Sequence, residues 1–187
     1  MTWKHRYTTG NKPGFSLIEV VISVALFSII MLSATEIFKM VVDSQRTAIA
    51  SQNVQESLKY FLEVIGKEIR MAQDSNGDCG ITSGTIFKVS TMSTSSDALA
   101  FKNYYGECVL YIIGTEGTNR RFLIVRPYGT GFISPAKIQI DSLHFSLNTG
   151  ATLQPLVTIN LQAHAVDEKF KSSMTIQTSM TSRYYKN

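Results

Sequence analysis

The sequence predicts an α+β protein in which a long N-terminal helix crosses a membrane, continues as a spine and packs on an antiparallel β-sheet head. Three observations support this prediction: an apolar segment at Phe15–Ala34, a helical pattern that continues to Ala72 without proline, and short strand-like runs beyond Gln73. The chain has 187 residues, of which 44% are hydrophobic and 17% charged, and this composition excludes a disordered or collagen-like protein.

The segment Phe15–Ala34 is the candidate membrane span. Fifteen of its residues are apolar, four are serine and one is Glu19. Twenty helical residues cover about 30 Å, which is the thickness of the hydrocarbon core of a bilayer. Three basic residues and no acid precede the span in the leader, residues 1–14. The positive-inside rule therefore leaves the N-terminus in the cytoplasm and sends the rest of the chain outward.

A cleaved secretory signal, cut after Ala34, is the alternative interpretation. Its apolar region would be longer than the usual stretch of roughly 7–15 residues, it would contain an acid, and the helical pattern does not stop at Ala34. These features favour a retained membrane anchor.

Glu19 is the informative residue of the span. A carboxylate inside a membrane helix costs about 2.5–3.5 kcal/mol even on lenient insertion scales, so such an acid is a functional candidate by default. The simpler alternative is that Glu19 lies near the cytoplasmic end and reaches the lipid headgroups. That alternative does not explain why the acid comes directly after Gly14–Ile18.

The run from Lys12 to Glu19, KPGFSLIE, followed by a long apolar stretch, resembles the class III signal of type IV prepilins and type II secretion pseudopilins. The resemblance implies that a prepilin peptidase cleaves between Gly14 and Phe15 and N-methylates the new Phe15 amine. It also implies that Glu19 acts in assembly, by pairing with the Phe15 amine of a neighbouring subunit in a filament.

Helical periodicity continues beyond the span as an amphipathic region, residues 35–72. Its apolar stripe is the surface on which we expect the head to pack. The stripe comprises Ile37, Phe38, Val41, Val42, Ala48, Ile49, Val54, Leu58, Phe61, Leu62, Ile65 and Ile69.

The head is predicted over residues 73–187. A turn-rich segment, Gln73–Gly84, ends the helix, and strand-like runs follow it. The predicted strands are Thr85–Ser90, Leu99–Tyr105, Cys108–Ile113, Phe122–Arg126, Lys137–Leu147, Pro155–Ala163 and Phe170–Met180. The last three are expected to form an antiparallel meander.

The C-terminal runs Ile138–Phe145, Leu156–Leu161 and Met174–Arg183 resemble the closing strands of J-type pseudopilins and W-type minor pilins. This second resemblance implies a minor subunit that acts in assembly initiation or at the filament tip. Its partners would be other pilin or pseudopilin subunits and the inner-membrane assembly platform.

Two candidate structural sites lie after the helix. Cys79 and Cys108 fall on the exported side, where disulfides form, and we favour one bridge between them over two unpaired thiols. Asp74, Asn76 and Asp78 imitate the start of a calcium loop, but Cys79 and Thr85 replace the glycine and the distal glutamate that such a loop requires, so a solvated turn is the better interpretation. No cofactor is expected.

No catalytic motif is present, and His144 and His164 are expected to be half-buried sheet residues, so we predict a structural protein rather than an enzyme. The alternatives are a pilus-tip module that binds DNA or surfaces, and a signal-anchored enzyme. Arg120–Arg121 and the tail Arg183–Asn187 offer cations and aromatics to DNA. However, most of the formal charge of +4 belongs to the leader, so nucleic acid is not an expected partner.

Overall fold

The computed structural model describes residues 14–149, 154–166 and 172–183. The chain divides into two compact units, one ending at Ser44 and one beginning at Gln45. A single helix, α1 (Leu17–Arg70), contributes residues to both units.

The ends of α1 follow from local hydrogen bonds. The carbonyl of Ser16 accepts the amides of Glu19 at 3.0 Å and Val20 at 3.2 Å, which closes the first turn. At the other end, Lys67 and Arg70 lie in the last turn, where cations complement the helix dipole. The observed helix, Leu17–Arg70, is thus slightly shorter than the predicted helical range, residues 15–72. Positive φ angles at residues 76, 77, 79 and 80 bend the chain back after it.

In the described part of the chain, eight strands follow the helix, one more than predicted. They are β1 (Phe87–Ser93), β2 (Ser96–Lys102), β3 (Cys108–Glu116), β4 (Asn119–Arg126), β5 (Gly129–Phe132), β6 (Ile138–Asn148), β7 (Leu156–Ala165) and β8 (Ser173–Thr181). The additional strand is β5, whose sequence GTGF has neither alternation nor β-branched density. It forms because the turn at Pro127–Tyr128 folds it back onto β4.

The strands form one mostly antiparallel sheet in the order β5-β4-β3-β2-β6-β7-β8, with β1 paired to β2. The predicted meander of the last three strands is confirmed. The β2–β6 junction is the exception to antiparallel pairing, because it is parallel and consists of a single pair, Ser96 with Leu143. The prediction of an α+β fold with the helix packed on the sheet is confirmed.

The core of the second unit lies between α1 and the sheet. Every side chain of the helical stripe Val54, Leu58, Phe61, Ile65 and Ile69 is at most 1% exposed. The ring of Phe61 stacks on that of Phe122 with centroids 3.7 Å apart.

The packing stripe begins later in α1 than the sequence predicts. Ile37, Phe38, Val41 and Ile49 were expected on the packing surface but are all exposed. The sheet covers the helix only from about Ala50 onward.

Candidate functional site

The N-terminal site consists of Gly14, Phe15 and the first turns of α1. Gly14 to Ser16 precede the helix, Phe15 is 84% exposed, and a Cβ added at Gly14 would meet nothing within 4 Å. The Gly14–Phe15 bond therefore lies in an open, non-helical segment. An open, non-helical segment with a glycine can enter a protease cleft.

The helix after this segment presents an almost wholly apolar surface. It is long and apolar enough to cross a membrane, and none of its most apolar window is buried within the chain. The hydroxyl groups of its first part, up to Thr35, are bonded to the backbone of the helix: Ser23 to the carbonyl of Glu19 at 2.7 Å, and Ser28 to that of Val24 at 2.8 Å. Ser33 and Thr35 repeat the arrangement. These side chains thus enter lipid or a helix interface without an unmade hydrogen bond.

Glu19 is the exception on this surface. It is exposed in the first helical turn, where the positive end of the dipole favours an acid. Among the residues that the structure describes, none bonds its carboxylate. The backbone of the same residue, by contrast, is fully used, since its amide bonds Ser16 and its carbonyl bonds Ser23. The carboxylate is therefore available to a cation from outside the described chain.

A second acid of α1 has partners within the chain. Glu68 accepts a hydrogen bond from the Tyr111 hydroxyl at 2.8 Å and from Arg126 Nη2 at 2.5 Å. Burial raises the pKa of Tyr111 well above its usual value, and the negative charge of Glu68 raises it further. Sequence reasoning missed this triad, because its members lie on three elements and only the fold brings them together.

The two histidines lie half-buried in the sheet and each bonds a carboxylate. His144 Nδ1 is 3.2 Å from Asp97 Oδ2, which also accepts the Phe145 amide at 3.1 Å. His164 Nδ1 is 2.9 Å from Asp141 Oδ2. The first contact joins β2 to β6 at their single-pair junction and adds a side-chain hydrogen bond to it. Neither acid was singled out from the sequence, since both are separated from their histidines by more than twenty residues.

Cys79 and Cys108 are bonded in a disulfide, which ties the segment after α1 to the start of β3. In the neighbouring calcium candidate, Asp74 Oδ1 accepts the amides of Asn76 at 3.0 Å and Gly84 at 3.3 Å. Asp78 Oδ2 bonds Lys102 Nζ at 2.7 Å. The two carboxylates thus have separate partners, and no metal-binding group of three His, Cys, Asp or Glu side chains occurs in the part of the chain described here.

The two arginines considered for DNA are both bonded within the head. Arg120 donates to the carbonyl of Asp141 at 2.7 Å and to Ser95 Oγ at 2.9 Å. Arg121 pairs with Glu116 and lies over the Phe132 ring, 4.6 Å from its centroid. The tail beyond residue 183 and most of the leader, residues 1–13, lie outside the described residues.

A family model for the prokaryotic N-terminal methylation motif matches residues 10–35. No curated protein and no solved structure matches the chain. The match covers Gly14, Phe15, Glu19 and the apolar start of α1, and it is consistent with a prepilin-type pilin. The chain is thus a membrane-anchored, single-pass protein with the signal of a pilin-like structural subunit. Such a signal implies processing by prepilin peptidase and assembly with other pilins.

Proposed function

We propose that this protein is a minor pilin or pseudopilin, a structural subunit of a type IV pilus or a type II secretion pseudopilus. The observation that carries the proposal is the carboxylate of Glu19, which has no partner among the described residues. It lies on an apolar helix, at the fifth position after the Gly14–Phe15 bond within the matched motif. An enzyme with a plain anchor has no use for this acid.

The proposed processing occurs at the cytoplasmic face of the inner membrane. Prepilin peptidase hydrolyses the Gly14–Phe15 amide bond, which leaves a carboxylate on Gly14 and a free amine on Phe15. The amine is then N-methylated. The leader, residues 1–14, stays behind, and the head occupies the periplasmic or extracellular side, where its disulfide is stable.

Glu19 then sets the register of assembly. Its carboxylate pairs with the methylated Phe15 amine of a neighbouring subunit, since a filament core of apolar helices tolerates two charges only when they are paired. The hydroxyls of Ser23 and Ser28 already bond the backbone of their own helix. Glu19 is therefore the side chain that sets the axial offset between neighbouring helices.

The minor-subunit role rests on the head. The support is the sequence resemblance of the closing strands, with a Thr- and Ser-rich last strand followed by Arg183, to J-type and W-type subunits. We infer that the head acts at the tip or in the complex that initiates assembly on the inner-membrane platform.

Intact mass and N-terminal sequencing of the membrane-extracted protein test the processing step. We expect a chain that begins at N-methyl-Phe15. Glu19→Gln is expected to be cleaved but to lose methylation or filament incorporation. Glu36→Gln, which changes an exposed acid of the same helix, is the matched control and should behave as the wild type. A chain that begins at Met1 or Thr35 would overturn the proposal, as would normal assembly of Glu19→Gln.

The minor role has a separate test, namely the abundance of the chain in sheared filaments or pseudopili. We expect it to be far below that of the major subunit, and we expect deletion of the gene to abolish filaments. If the chain formed the bulk of the filament, it would be a major pilin.

A further inference from the structure

Among the described residues, no strand pairs with the outer edge of β8. This strand ends the sheet, and its nine residues, SMTIQTSMT, carry no charge, proline or glycine. Its register with β7 runs from Ser173 to Thr181 without a bulge. Exposed edges are normally blunted by charges, proline, bulges or short length, because an open edge accepts another strand. The opposite edge follows that rule, since β5 has only four residues.

The free backbone groups of this edge belong to the odd-numbered residues. The Ala165 amide bonds the Ser172 carbonyl at 3.0 Å, in continuation of the β7–β8 register, so even-numbered residues of β8 bond toward β7. In an antiparallel pair the next residue points the other way. Just beyond the strand, the amide of Arg183 donates to the Arg70 carbonyl of α1 at 2.9 Å. The outward groups are those of Ser173, Thr175, Gln177, Ser179 and Thr181.

The strand is close to a palindrome around Gln177. When two copies are placed antiparallel with Gln177 opposite Gln177, Thr175 lies opposite Ser179 and Ser173 opposite Thr181. On the other face, Met174 lies opposite Met180 and Ile176 opposite Thr178. Hydroxyl pairs and apolar pairs at opposite positions stabilise antiparallel strands. The same register sets every outward donor against an outward acceptor, giving about ten main-chain hydrogen bonds.

We infer that β8 is a self-association strand, through which two copies of this chain join their sheets antiparallel around Gln177. The open edge, the parity of its free groups and the near-palindrome each point to a second copy as the occupant. This contact is isologous, because the same residues meet from both sides.

The symmetry of the contact defines which copies can meet. The two-fold axis of an antiparallel pair stands perpendicular to the sheet, and residues 54–69 of α1 pack on a face of that sheet. The paired copies therefore carry these helical segments in opposite directions. Two heads can therefore meet in this way only when residues 54–69 of the two copies run antiparallel.

Cysteine cross-linking of the full-length chain in detergent micelles, where one bilayer does not fix the orientation, tests the register. The native cysteines are bonded to each other and do not interfere. On oxidation, Gln177→Cys should form a covalent dimer. Thr175→Cys alone and Ser179→Cys alone should not form one. In each case the new cysteine would lie about 13 Å from the same cysteine of the other copy. A mixture of those two variants should cross-link.

Charge and backbone variants test whether this edge drives the association. Gln177→Glu places like charges opposite each other, so we expect dimer affinity to fall about fivefold, and Gln177→Lys should do the same. An equimolar mixture of the two should recover affinity. Gln177→Pro should abolish the dimer yet leave the head folded, because the amide it removes points away from β7. Analytical ultracentrifugation measures the affinities.

Two results would overturn the inference. The first is equal cross-linking of all three single-cysteine variants, which indicates random collision. The second is an oligomeric state, either dimer or strict monomer, that stays the same in all three tests. These tests are Gln177→Pro, Gln177→Glu, and the mixture of the two charge variants. Because these experiments require neither processing nor filaments, their failure is distinguishable from failure of the proposed function.

Discussion

The two halves of α1 place similar apolar side chains in opposite environments. Along Leu17–Ser44 the large apolar residues lie open, with Phe38 70% exposed. Along Gln45–Arg70 the packing stripe is at most 1% exposed, because the sheet covers it. Both halves carry large apolar side chains, although the first half is the richer in them. What differs is the source of the covering surface, which the head supplies for one half and lipid or other subunits must supply for the other.

The acids of the two halves show the same contrast. Glu68 receives a tyrosine and an arginine from the sheet of its own chain. Glu19 receives no side chain from the described residues, although a lone carboxylate on an apolar surface is costly there. The contrast between Glu68 and Glu19 is thus one of partners: the sheet supplies them for Glu68, and no described residue supplies one for Glu19.

The largest expected effect is a loss of stability confined to the covered half of α1 and the head. Phe61→Ala removes a buried ring that stacks on Phe122 and meets Tyr111 edge-on at 6.3 Å. We expect it to lower the free energy of unfolding of the head by about 3–5 kcal/mol. Denaturant titration of the full chain in detergent, followed by near-ultraviolet circular dichroism, measures this loss. Phe27→Ala is the control, because Phe27 is 57% exposed in the other half, and an equal loss there would erase the contrast between the halves.

A smaller loss should follow from removal of the disulfide. Replacing Cys79 and Cys108 together by serine opens a loop with a sequence separation of 29, which we expect to cost the head about 3 kcal/mol. Amide hydrogen exchange should show faster exchange in the head and in residues 45–70 of α1. Protection of Leu17–Ser44 should not change, and a loss of protection there would mean that the membrane half depends on the head.

The Tyr111–Glu68 bond offers an effect that depends on pH. Tyr111→Phe leaves Glu68 without one donor and should cost about 1–2 kcal/mol at pH 7. The raised pKa of Tyr111 means that folding favours its neutral form. This contribution is present below the unfolded pKa of about 10 and is lost as the pH rises above it, by about 1.4 kcal/mol per pH unit. The gap between wild type and Tyr111→Phe should therefore narrow above pH 10, and a constant gap would show that the phenol titrates normally.

The sequence was sufficient for the features that depend on local pattern. The α+β class, the membrane helix and the closing meander each follow from periodicity or composition, which act over neighbouring residues. The short signal around Gly14 and Phe15 was also visible, since its residues are contiguous and the family model matches them.

The remaining features depend on the fold and were missed for that reason. The β5 strand has no pattern of its own and exists through its turn onto β4. The predicted packing stripe began at Ile37, because amphipathic spacing does not reveal where a covering sheet ends. Likewise, Asp97 and Asp141 lie far in sequence from the histidines they bond, so only the strand register brings each pair together.

The smallest expected effect tests how tightly the covered half of α1 packs against the sheet. Adding a methyl group at Gly66 places a carbon 2.8 Å from Met180 Sδ, so the end of that side chain must move. Alanine also gains up to about 1 kcal/mol over glycine in a helix interior. These contributions oppose each other, and Gly66→Ala should change the stability of the head by less than about 1 kcal/mol. Combined with Met180→Ala the clash is gone, so Gly66→Ala should then stabilise by nearly the whole helix gain. The double-mutant cycle isolates the contact. Equal effects of Gly66→Ala in both backgrounds would show that Met180 does not limit this position. Ala25→Gly, in the open half of α1, is the control and should leave the unfolding of the head unchanged.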